Sequence, residues 1–221
     1  MKTSESPNFD ARPPGARIDM LVLHYTGMVS AEAAIERLCD PAAKVSAHYL
    51  IDEDGAVRRL VDENHRAWHA GEASWRGKSD INARSLGIEL VNPGHEFGYR
   101  PFPEAQMAAL EALAQDILAR HTIEARNVVG HSDVAPRRKT DPGELFDWRR
   151  LAEAGIGLWP DKQQAGQAAD AGVMLADYGY DVTDLKMAIK AFQRRFRPRR
   201  IDGVADAETS GLLTALLHRL P

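Results

Sequence analysis

Short apolar runs separated by polar turns indicate the strands of a central sheet. Met20 to Leu23 (MLVL), Ser85 to Asn92 (SLGIELVN) and Asn127 to Val129 are runs typical of buried strands. Val45 to Ile51 and Ala56 to Val61 flank the turn sequence DEDG, which predicts a β-hairpin. Buried strands and a hairpin in one segment predict a sheet with a well-covered core.

Apolar positions at helical spacing indicate amphipathic helices between these strands. Ser30 to Asp40 opens with a serine suited to capping a helix, and its apolar residues share one face. Glu104 to Arg120 repeats apolar residues at the same spacing and follows Pro103, whose missing N–H is not needed at a helix start. Strands and helices in alternation favour an α/β fold.

The segment from Asp62 to Arg84 shows neither helical nor strand periodicity. It contains Trp68, His69 and Trp75, and a loop of this length in a compact domain is usually functional. We therefore predict that it forms one wall of a cleft. Residues 1–17 are polar and proline-rich, which predicts an extended arm on the surface.

The pattern changes again after residue 159. The polar stretch Pro160 to Gln167 is typical of a linker. Helical spacing then predicts three short helices, at Ala168 to Tyr178, Asp184 to Phe196 and Ala207 to Leu217. The predicted organisation is a catalytic domain at residues 1–159, a linker at 160–167 and a small three-helix domain at 168–221.

Composition and charge limit the function classes. The 221 residues are 44% hydrophobic and 27% charged, as in an ordinary globular chain. With 28 basic and 32 acidic residues, the formal charge of -4 provides no general attraction to nucleic acid or to anionic membranes. The arginines at residues 194–200 are interpreted as a solvated helix end, because no aromatic platform accompanies them. We expect a monomer that inserts into no membrane.

The single cysteine and the start of the chain bear on the compartment. Cys39 has no second cysteine to pair with, which fits a reducing compartment, although many periplasmic proteins also lack disulfides. The first residues contain no apolar segment of the kind found in secretory signals. These features favour a cytoplasmic location, with the periplasm or cell wall as the alternative.

The segment Gly130 to Gly143, GHSDVAPRRKTDPG, concentrates groups that can do chemistry. A strand delivers His131 into a loop that also carries Asp141 and is held by prolines. His24, which follows the first apolar run, is the best candidate for a third ligand. Three nitrogen and oxygen ligands with a fourth position open to water are the arrangement of a catalytic zinc site.

Two further groups accompany these candidate ligands. Lys139 lies two residues before Asp141 and would share its side of an extended segment, although spacing alone does not choose between Lys139, Arg137 and Arg138 as the inward residue. Glu89 lies within a run that indicates a buried strand. A buried carboxylate needs a partner, such as a metal-bound water or a nearby lysine.

Five motifs in this order resemble the N-acetylmuramoyl-L-alanine amidases of murein turnover and recycling: HYTG (His24 to Gly27), SAHYLID (Ser46 to Asp52), AWHAG (Ala67 to Gly71), SLGIELVN and GHSDVAPRRKTDPG. The resemblance covers roughly the first two thirds of the chain. It implies an α/β fold with a central mixed β-sheet flanked by helices, shared with peptidoglycan recognition proteins. It also implies one zinc ion per chain. The site residues implied are the metal ligands His24, His131 and Asp141 and the catalytic residues Glu89 and Lys139.

The resemblance further implies a reaction. The amide bond between N-acetylmuramic acid, or its 1,6-anhydro form, and the L-alanine of the stem peptide is expected to be hydrolysed. Glu89 would act as general base and then general acid, while zinc and Lys139 would neutralise the developing oxyanion. The alternative is a non-catalytic peptidoglycan recognition protein; such proteins typically lack a ligand, whereas this chain retains the full set.

Substrate preference remains open at this stage. A start without a signal favours recycling of anhydro-muropeptides, whereas an appended wall-binding module favours larger murein fragments. The candidate substrate-binding residues are His48, Trp68, His69 and Trp75, with a position in the core as the alternative for His48 and Trp68. The segments LADYGYDVTD, AFQRRF and IDGVADAETSGLL resemble the three-helix peptidoglycan-binding module, except that Asp206 stands where a small residue is common.

Overall fold

The computed structural model describes residues 2–3, 5–160 and 170–220. Within these residues it contains a six-stranded mixed sheet and a separate two-stranded ribbon. The strands are β1 (Lys2–Thr3), β2 (Phe9–Ala11), β3 (Met20–Tyr25), β4 (Tyr49–Ile51), β5 (Val57–Arg59), β6 (His65–Ala67), β7 (Ser85–Leu90) and β8 (Val128–Gly130).

The order of the sheet places the strands that carry the candidate residues side by side. The order is β1-β5-β4-β7-β3-β8, and β3 runs parallel to both β7 and β8. Strand β4 is parallel to β7 and antiparallel to β5, which makes the sheet mixed as predicted. The register pairs His24 with Glu89. Because paired residues of neighbouring strands face the same side, strand pairing alone brings these two side chains together.

Helices lie between and after the strands. Among the described residues they are α1 (Ala31–Cys39), α2 (Ile81–Arg84), α3 (Gly94–Phe97), α4 (Glu104–Arg120), α5 (His131–Val134), α6 (Trp148–Glu153), α7 (Ala171–Tyr178), α8 (Leu185–Phe196) and α9 (Ala207–Leu217). The Ser30 side chain accepts a hydrogen bond from the Ala33 N–H and caps α1, and Pro103 precedes α4. The predicted helices at these positions are confirmed.

The alternation of side chains along β3 sends neighbouring residues into different layers of the core. Leu21 and Leu23 pack in the layer covered by α4. Met20 and Val22 lie in the opposite layer, together with residues of the C-terminal helices. Those residues are Met174, Leu175, Tyr178, Ala188, Ile189, Ala191, Phe192, Phe196, Leu213 and Leu216. The C-terminal helices therefore complete the core of the sheet.

The segment predicted as a linker, residues 160–167, lies outside the described residues from position 161 onward. Helices α7, α8 and α9 follow where helical spacing predicts them, and each is capped by an aspartate side chain: Asp170, Asp184 and Asp206. Asp206, which stands where a small residue is common in the peptidoglycan-binding module, accepts a hydrogen bond from the Thr209 N–H. It therefore has a local structural role as the cap of α9. The division into domains stays a prediction.

A buried ion pair joins α8 to the loop that begins with α5. Arg195 Nη1 donates to Asp133 Oδ2 at 2.9 Å, and the Tyr180 hydroxyl donates to Asp133 Oδ1 at 2.7 Å. The Arg195 guanidinium lies 4.0 Å from the centroid of the Trp148 ring. Arg195 is 3% exposed and Asp133 is 1% exposed, so neither charge has water as a substitute partner.

We expect Arg195→Met to lower the free energy of unfolding by about 3–5 kcal/mol, because it leaves the Asp133 carboxylate buried without its cation. Urea unfolding followed by circular dichroism measures the change. The matched control is Arg194→Met, which alters the neighbouring residue of the same helix, whose side chain is not fully buried. A loss below about 1 kcal/mol for Arg195→Met, equal to the control, would contradict a structural role for the pair.

Some predicted boundaries were wrong because they depend on distant pairing. The apolar run that indicated the first strand ends at Leu23, whereas strand β3 continues through His24 to Tyr25. The segment 62–84 contains β6 and α2, and β6 pairs antiparallel with β2 of the N-terminal arm. His131 begins α5 directly after β8. In the part of the chain that is described, no helix has the length and apolarity needed to cross a bilayer.

Candidate metal centre and active site

Three side chains from separate elements meet at the carboxyl end of the sheet. His24 comes from β3, His131 from the start of α5, and Asp141 from the loop that follows. His24 Nδ1 lies 3.0 Å from His131 Nδ1, and each of these nitrogens lies 3.1 Å from Asp141 Oδ2. These separations allow one cation with bonds of about 2.0–2.2 Å to reach all three atoms. The group is a candidate metal centre.

Local sequence explains how the loop brings Asp141 back to His131. The Ser132 N–H donates to the Asp141 carbonyl at 2.8 Å, which closes the loop. A Cβ on Gly130 would lie 2.7 Å from Pro142 Cδ, so only glycine permits this approach. Gly143 has a φ of +88°, the left-handed region that favours glycine, and turns the chain away.

Hydrogen bonding at the far side of His131 fixes which nitrogen faces the centre. His131 Nε2 lies 3.0 Å from the Ala70 carbonyl oxygen, which only accepts. A neutral His131 therefore carries its proton on Nε2 and presents the Nδ1 lone pair to Asp141 Oδ2, 3.1 Å away. Two acceptors in contact repel unless a positive charge lies between them, so the donor set fits a metal cation.

The electrostatics of the cluster agree with this donor set. Burial lowers the pKa of His24 to about 4, so its imidazole is neutral near pH 7. Burial alone would raise the pKa of Asp141, but the His131 and His24 imidazoles outweigh it and hold that pKa below its ordinary value. A neutral imidazole and an ionised carboxylate are the forms that bind a divalent cation.

Glu89 lies beside the centre, because its strand position is paired with that of His24. Burial, together with the nearby Asp141 charge, raises its pKa well above the ordinary value, and Lys139 opposes that rise. Glu89 Oε2 is buried and has no hydrogen-bond partner among the described residues. A buried carboxylate oxygen without a partner indicates a site for a water molecule or substrate group.

The centre opens into a cleft with a volume of about 390 Å³. Its apolar lining residues include Met28, Leu38, Val45 and Trp68, and its polar lining residues include Glu89, Arg37, Arg138 and Lys139. Arg137 instead pairs with Asp181 at 3.6 Å. The structure thus separates the three consecutive basic residues: Arg138 and Lys139 line the cleft, whereas Arg137 faces the segment between α7 and α8.

The residues predicted to bind substrate divide into two groups. Trp68 and His69 line the cleft. His48 is fully buried and accepts a hydrogen bond from the Gly87 N–H through Nδ1, so it faces the sheet interior. Trp75 is also fully buried and contacts Tyr178 and Tyr180 of the C-terminal segment. The structure places His48 and Trp75 away from the cleft because neighbouring elements cover them.

Sequence reasoning did not select Tyr25, which lines the cleft directly after His24. Its hydroxyl lies 2.9 Å from His95 Nδ1 and 3.2 Å from Thr140 Oγ1, so it joins the edge of the cleft to the Asp141 loop. The HYTG motif contains this residue, but a half-buried aromatic after a strand gives no signal of its own.

The mixed sheet flanked by helices carries a buried His-His-Asp cluster beside Glu89, whose Oε2 has no hydrogen-bond partner among the described residues, and these features fit a hydrolase with a candidate metal centre. Comparisons with known proteins identify the family. The family model described as N-acetylmuramoyl-L-alanine amidase matches residues 14–144, more than half of the chain. The chain belongs to this N-acetylmuramoyl-L-alanine amidase family. The predicted enzyme class is therefore confirmed.

Relatives of known identity extend the match. The N-acetylmuramoyl-L-alanine amidase AmiD of Escherichia coli is 42% identical over 233 aligned residues, covering 92% of this chain and 83% of AmiD. The 1,6-anhydro-N-acetylmuramyl-L-alanine amidase AmpD of Haemophilus influenzae is 34% identical, covering 66% of this chain and 87% of AmpD. Because the AmiD match covers 92% of this chain, it must include part of the C-terminal helices, which span residues 171–217.

Solved structures agree with the fold described above. The complex of Escherichia coli AmiD with anhydro-N-acetylmuramic acid-L-Ala-D-γ-Glu-L-Lys superimposes with a TM-score of 0.83 at 39% identity, covering 94% of this chain and 92% of that one. AmpDh3 of Pseudomonas aeruginosa gives a TM-score of 0.84 at 34% identity over 100% of both chains. The predicted fold class, an α/β fold with a central mixed sheet flanked by helices, is confirmed.

Proposed function

We propose that the protein is a zinc-dependent amidase that cleaves the bond between N-acetylmuramic acid, including its 1,6-anhydro form, and the L-alanine of the stem peptide. His24, His131 and Asp141 hold one Zn²⁺, with Glu89 and Lys139 as catalytic residues. The observation that carries the proposal is that His24 Nδ1, His131 Nδ1 and Asp141 Oδ2 lie within 3.1 Å of one another, a donor set that suits one divalent cation. The anhydro-muropeptide bound to AmiD, 39% identical to this chain, supports the substrate class.

The chemistry follows from the groups around the centre. A zinc ion held by His24, His131 and Asp141 would supply Lewis-acid chemistry, because zinc can lower the pKa of water from about 15.7 to about 7 and polarise a carbonyl group. Glu89, whose buried Oε2 lacks a partner in the described structure, accepts a proton from the attacking water and delivers it to the departing amine of L-alanine. The Lys139 ammonium lies in the same cleft and stabilises the oxyanion that develops on the carbonyl.

The cleft suits a sugar joined to a short peptide. Trp68 offers an aromatic surface in the lining of the cleft, and Arg37 and Arg138 offer cations that suit the carboxylates of a stem peptide. His69 reaches the cleft with only 8% of its surface exposed, so Trp68 is the stronger candidate for substrate contact.

We expect Lys139→Ala to lower kcat by about 10²- to 10³-fold with a smaller change in KM, because it removes a donor that acts mainly in the transition state. Steady-state kinetics on a soluble muropeptide measure both constants. Arg137→Ala is the matched control, since Arg137 is engaged with Asp181 outside the cleft. An unchanged kcat for Lys139→Ala would remove this residue from the mechanism.

The C-terminal helices resemble a peptidoglycan-binding module, and we propose that α7 to α9 form such a domain, with murein or its fragments as the partner. Support comes from the segments LADYGYDVTD, AFQRRF and IDGVADAETSGLL. The cytoplasmic location and the monomeric state expected from the sequence stay predictions.

Digestion of defined muropeptides tests the proposed function. Purified zinc-loaded protein is incubated with an anhydro-muropeptide and with its reducing-end counterpart, and the products are analysed by mass spectrometry. Release of free anhydro-N-acetylmuramic acid and an intact peptide beginning with L-alanine supports the proposal. Cleavage within the peptide would indicate a different amide hydrolase, and an uncleaved but bound muropeptide would indicate a recognition protein.

A further inference from the structure

A chain of hydrogen bonds runs from His24 into the interior of the protein. His24 Nε2 lies 3.0 Å from His69 Nδ1, on the side opposite to the metal centre. His69 Nε2 in turn lies 3.1 Å from Ser85 Oγ. The Ser85 hydroxyl donates to the carbonyl oxygen of Ile81 at 2.7 Å. The chain therefore begins at a metal-ligand candidate and ends at a backbone carbonyl.

The direction of every bond in this chain follows from its last member. A carbonyl oxygen only accepts, so the Ser85 proton points to Ile81 and Ser85 Oγ accepts from His69. A neutral His69 then carries its proton on Nε2 and has a lone pair on Nδ1. His24 must donate its Nε2 proton to that lone pair, which leaves the His24 Nδ1 lone pair facing His131 and Asp141.

The position of the His69 ring is built into the surrounding chain. A Cβ on Gly87 would lie 2.5 Å from His69 Cγ, so the middle of β7 carries a glycine where the ring packs. Asn82 Oδ1 accepts from the backbone N–H groups of His69 at 3.2 Å and Ala70 at 2.8 Å. These contacts hold residues 69–70 in one conformation.

The same two residues orient both candidate imidazole ligands. The Ala70 carbonyl accepts from His131 Nε2, while the His69 ring accepts from His24 Nε2. Both bonds keep the proton on the outer nitrogen of a ligand imidazole. Without the bond to His69, a neutral His24 could carry its proton on Nδ1 and donate it to Asp141 Oδ2, 3.1 Å away. A metal ion would then have to displace that proton.

We propose that His69 is a positioning residue. Ser85 fixes the tautomer of His69, and His69 in turn fixes the tautomer of His24. As a result His24 Nδ1, His131 Nδ1 and Asp141 Oδ2 each direct a lone pair at the centre in the metal-free protein. The inference rests on the metal centre proposed above. Partners that orient a metal-ligating histidine are usually carboxylates or backbone carbonyls, and their loss typically lowers metal affinity by about 10- to 100-fold. Here a neutral imidazole has this role, and a serine hydroxyl sets its direction.

Zinc affinity of purified, metal-free protein tests the inference, measured by competition with a chromophoric chelator. His69→Leu is expected to weaken zinc binding by about 10- to 100-fold, because His24 loses its acceptor. His69→Asn places an amide oxygen near the position of Nδ1, so it is expected to recover most of the affinity. His48→Leu is the matched control: His48 is fully buried, its ring centroid lies 5.7 Å from that of His69, and in the described structure it hydrogen-bonds to neither ligand.

The tautomer itself is read from the ¹⁵N chemical shifts of the histidine side chains. In the metal-free wild type we expect the His24 proton on Nε2, and in Ser85→Ala, which leaves both rings in place, a mixture of the two tautomers. Equal zinc affinities for wild type and folded His69→Leu, an equal loss in His48→Leu, or an unchanged tautomer in Ser85→Ala would each overturn the inference. A wild type that binds no zinc would instead overturn the metal centre on which it rests.

Discussion

Glu89→Gln is expected to lower kcat by about 10²- to 10⁴-fold while zinc content stays at one ion per chain. Glutamine has nearly the shape of glutamate but cannot take a proton from the attacking water. It also cannot return one to the leaving amine. Glu89 sits opposite His24 in the sheet register, so its backbone position does not depend on its charge. The fold should therefore survive the change.

Metal analysis, circular dichroism and steady-state kinetics on the same preparation separate catalysis from structure. Glu53→Gln, at a surface carboxylate that pairs with Arg100, is the matched control for loss of one negative charge and should retain wild-type turnover. Near wild-type turnover in Glu89→Gln would exclude Glu89 as the general base. A loss of zinc in that variant would place Glu89 among the ligands.

Removal of the metal is expected to abolish amide hydrolysis and to be reversed by one equivalent of zinc per chain. A neutral water is too weak a nucleophile for an amide, and the serine that lines the cleft, Ser46, donates its hydroxyl proton to the Asn8 carbonyl oxygen at 2.6 Å. Chelation, dialysis and stepwise addition of zinc, with activity measured at each step, check the expectation. Activity that persists in protein shown to be metal-free would contradict it.

The same titration has a second readout in stability. A ligand that binds only the folded state raises the free energy of unfolding by about 2.7 kcal/mol when its free concentration is 100 times Kd. The melting temperature should therefore rise as zinc is added to the metal-free wild type. Asp141→Asn, which removes a charged donor from the centre, should show a smaller rise at equal zinc. An equal rise would mean that zinc binds elsewhere.

The sequence was most informative where local pattern and sheet geometry give the same result. The apolar runs that contain or precede His24, Glu89 and His131 were recognisable as strands, and neighbouring parallel strands bring their ends together. In the structure, His24 and His131 offer ligand atoms that lie, together with one from Asp141, within 4.8 Å of one another. The roles assigned to these residues stay predictions until the variants are measured.

The local sequence pattern did not predict which residues are buried by distant parts of the chain. Trp75 lies in a segment without periodicity and looked available to a ligand, yet Tyr178 and Tyr180 cover it from more than a hundred positions away. His48 is covered in the same way by the segment around His65 and Arg12. No spacing rule reports such contacts, because they depend on the final packing of separate elements.

The direction of the hydrogen bonds between His24, His69 and Ser85 also could not be predicted from the sequence. The AWHAG motif suggested a cleft residue at His69, but its relation to Ser85 and His24 depends on the register of two strands and one irregular segment. A sequence gives the three residue types and not the direction of the protons between them.

The ion pair between Arg195 and Asp133 has a consequence for how such enzymes are assembled. A chain cut back to the segment that the family model matches would expose Met20, Val22 and Trp75 to water. It would also leave the Asp133 carboxylate without its cation, two residues from the candidate metal ligand His131. Helices α7 to α9 therefore cannot be removed without exposing part of the core of the sheet. Replacing them with another module would require new residues to cover Met20 and Val22 and to pair with Asp133.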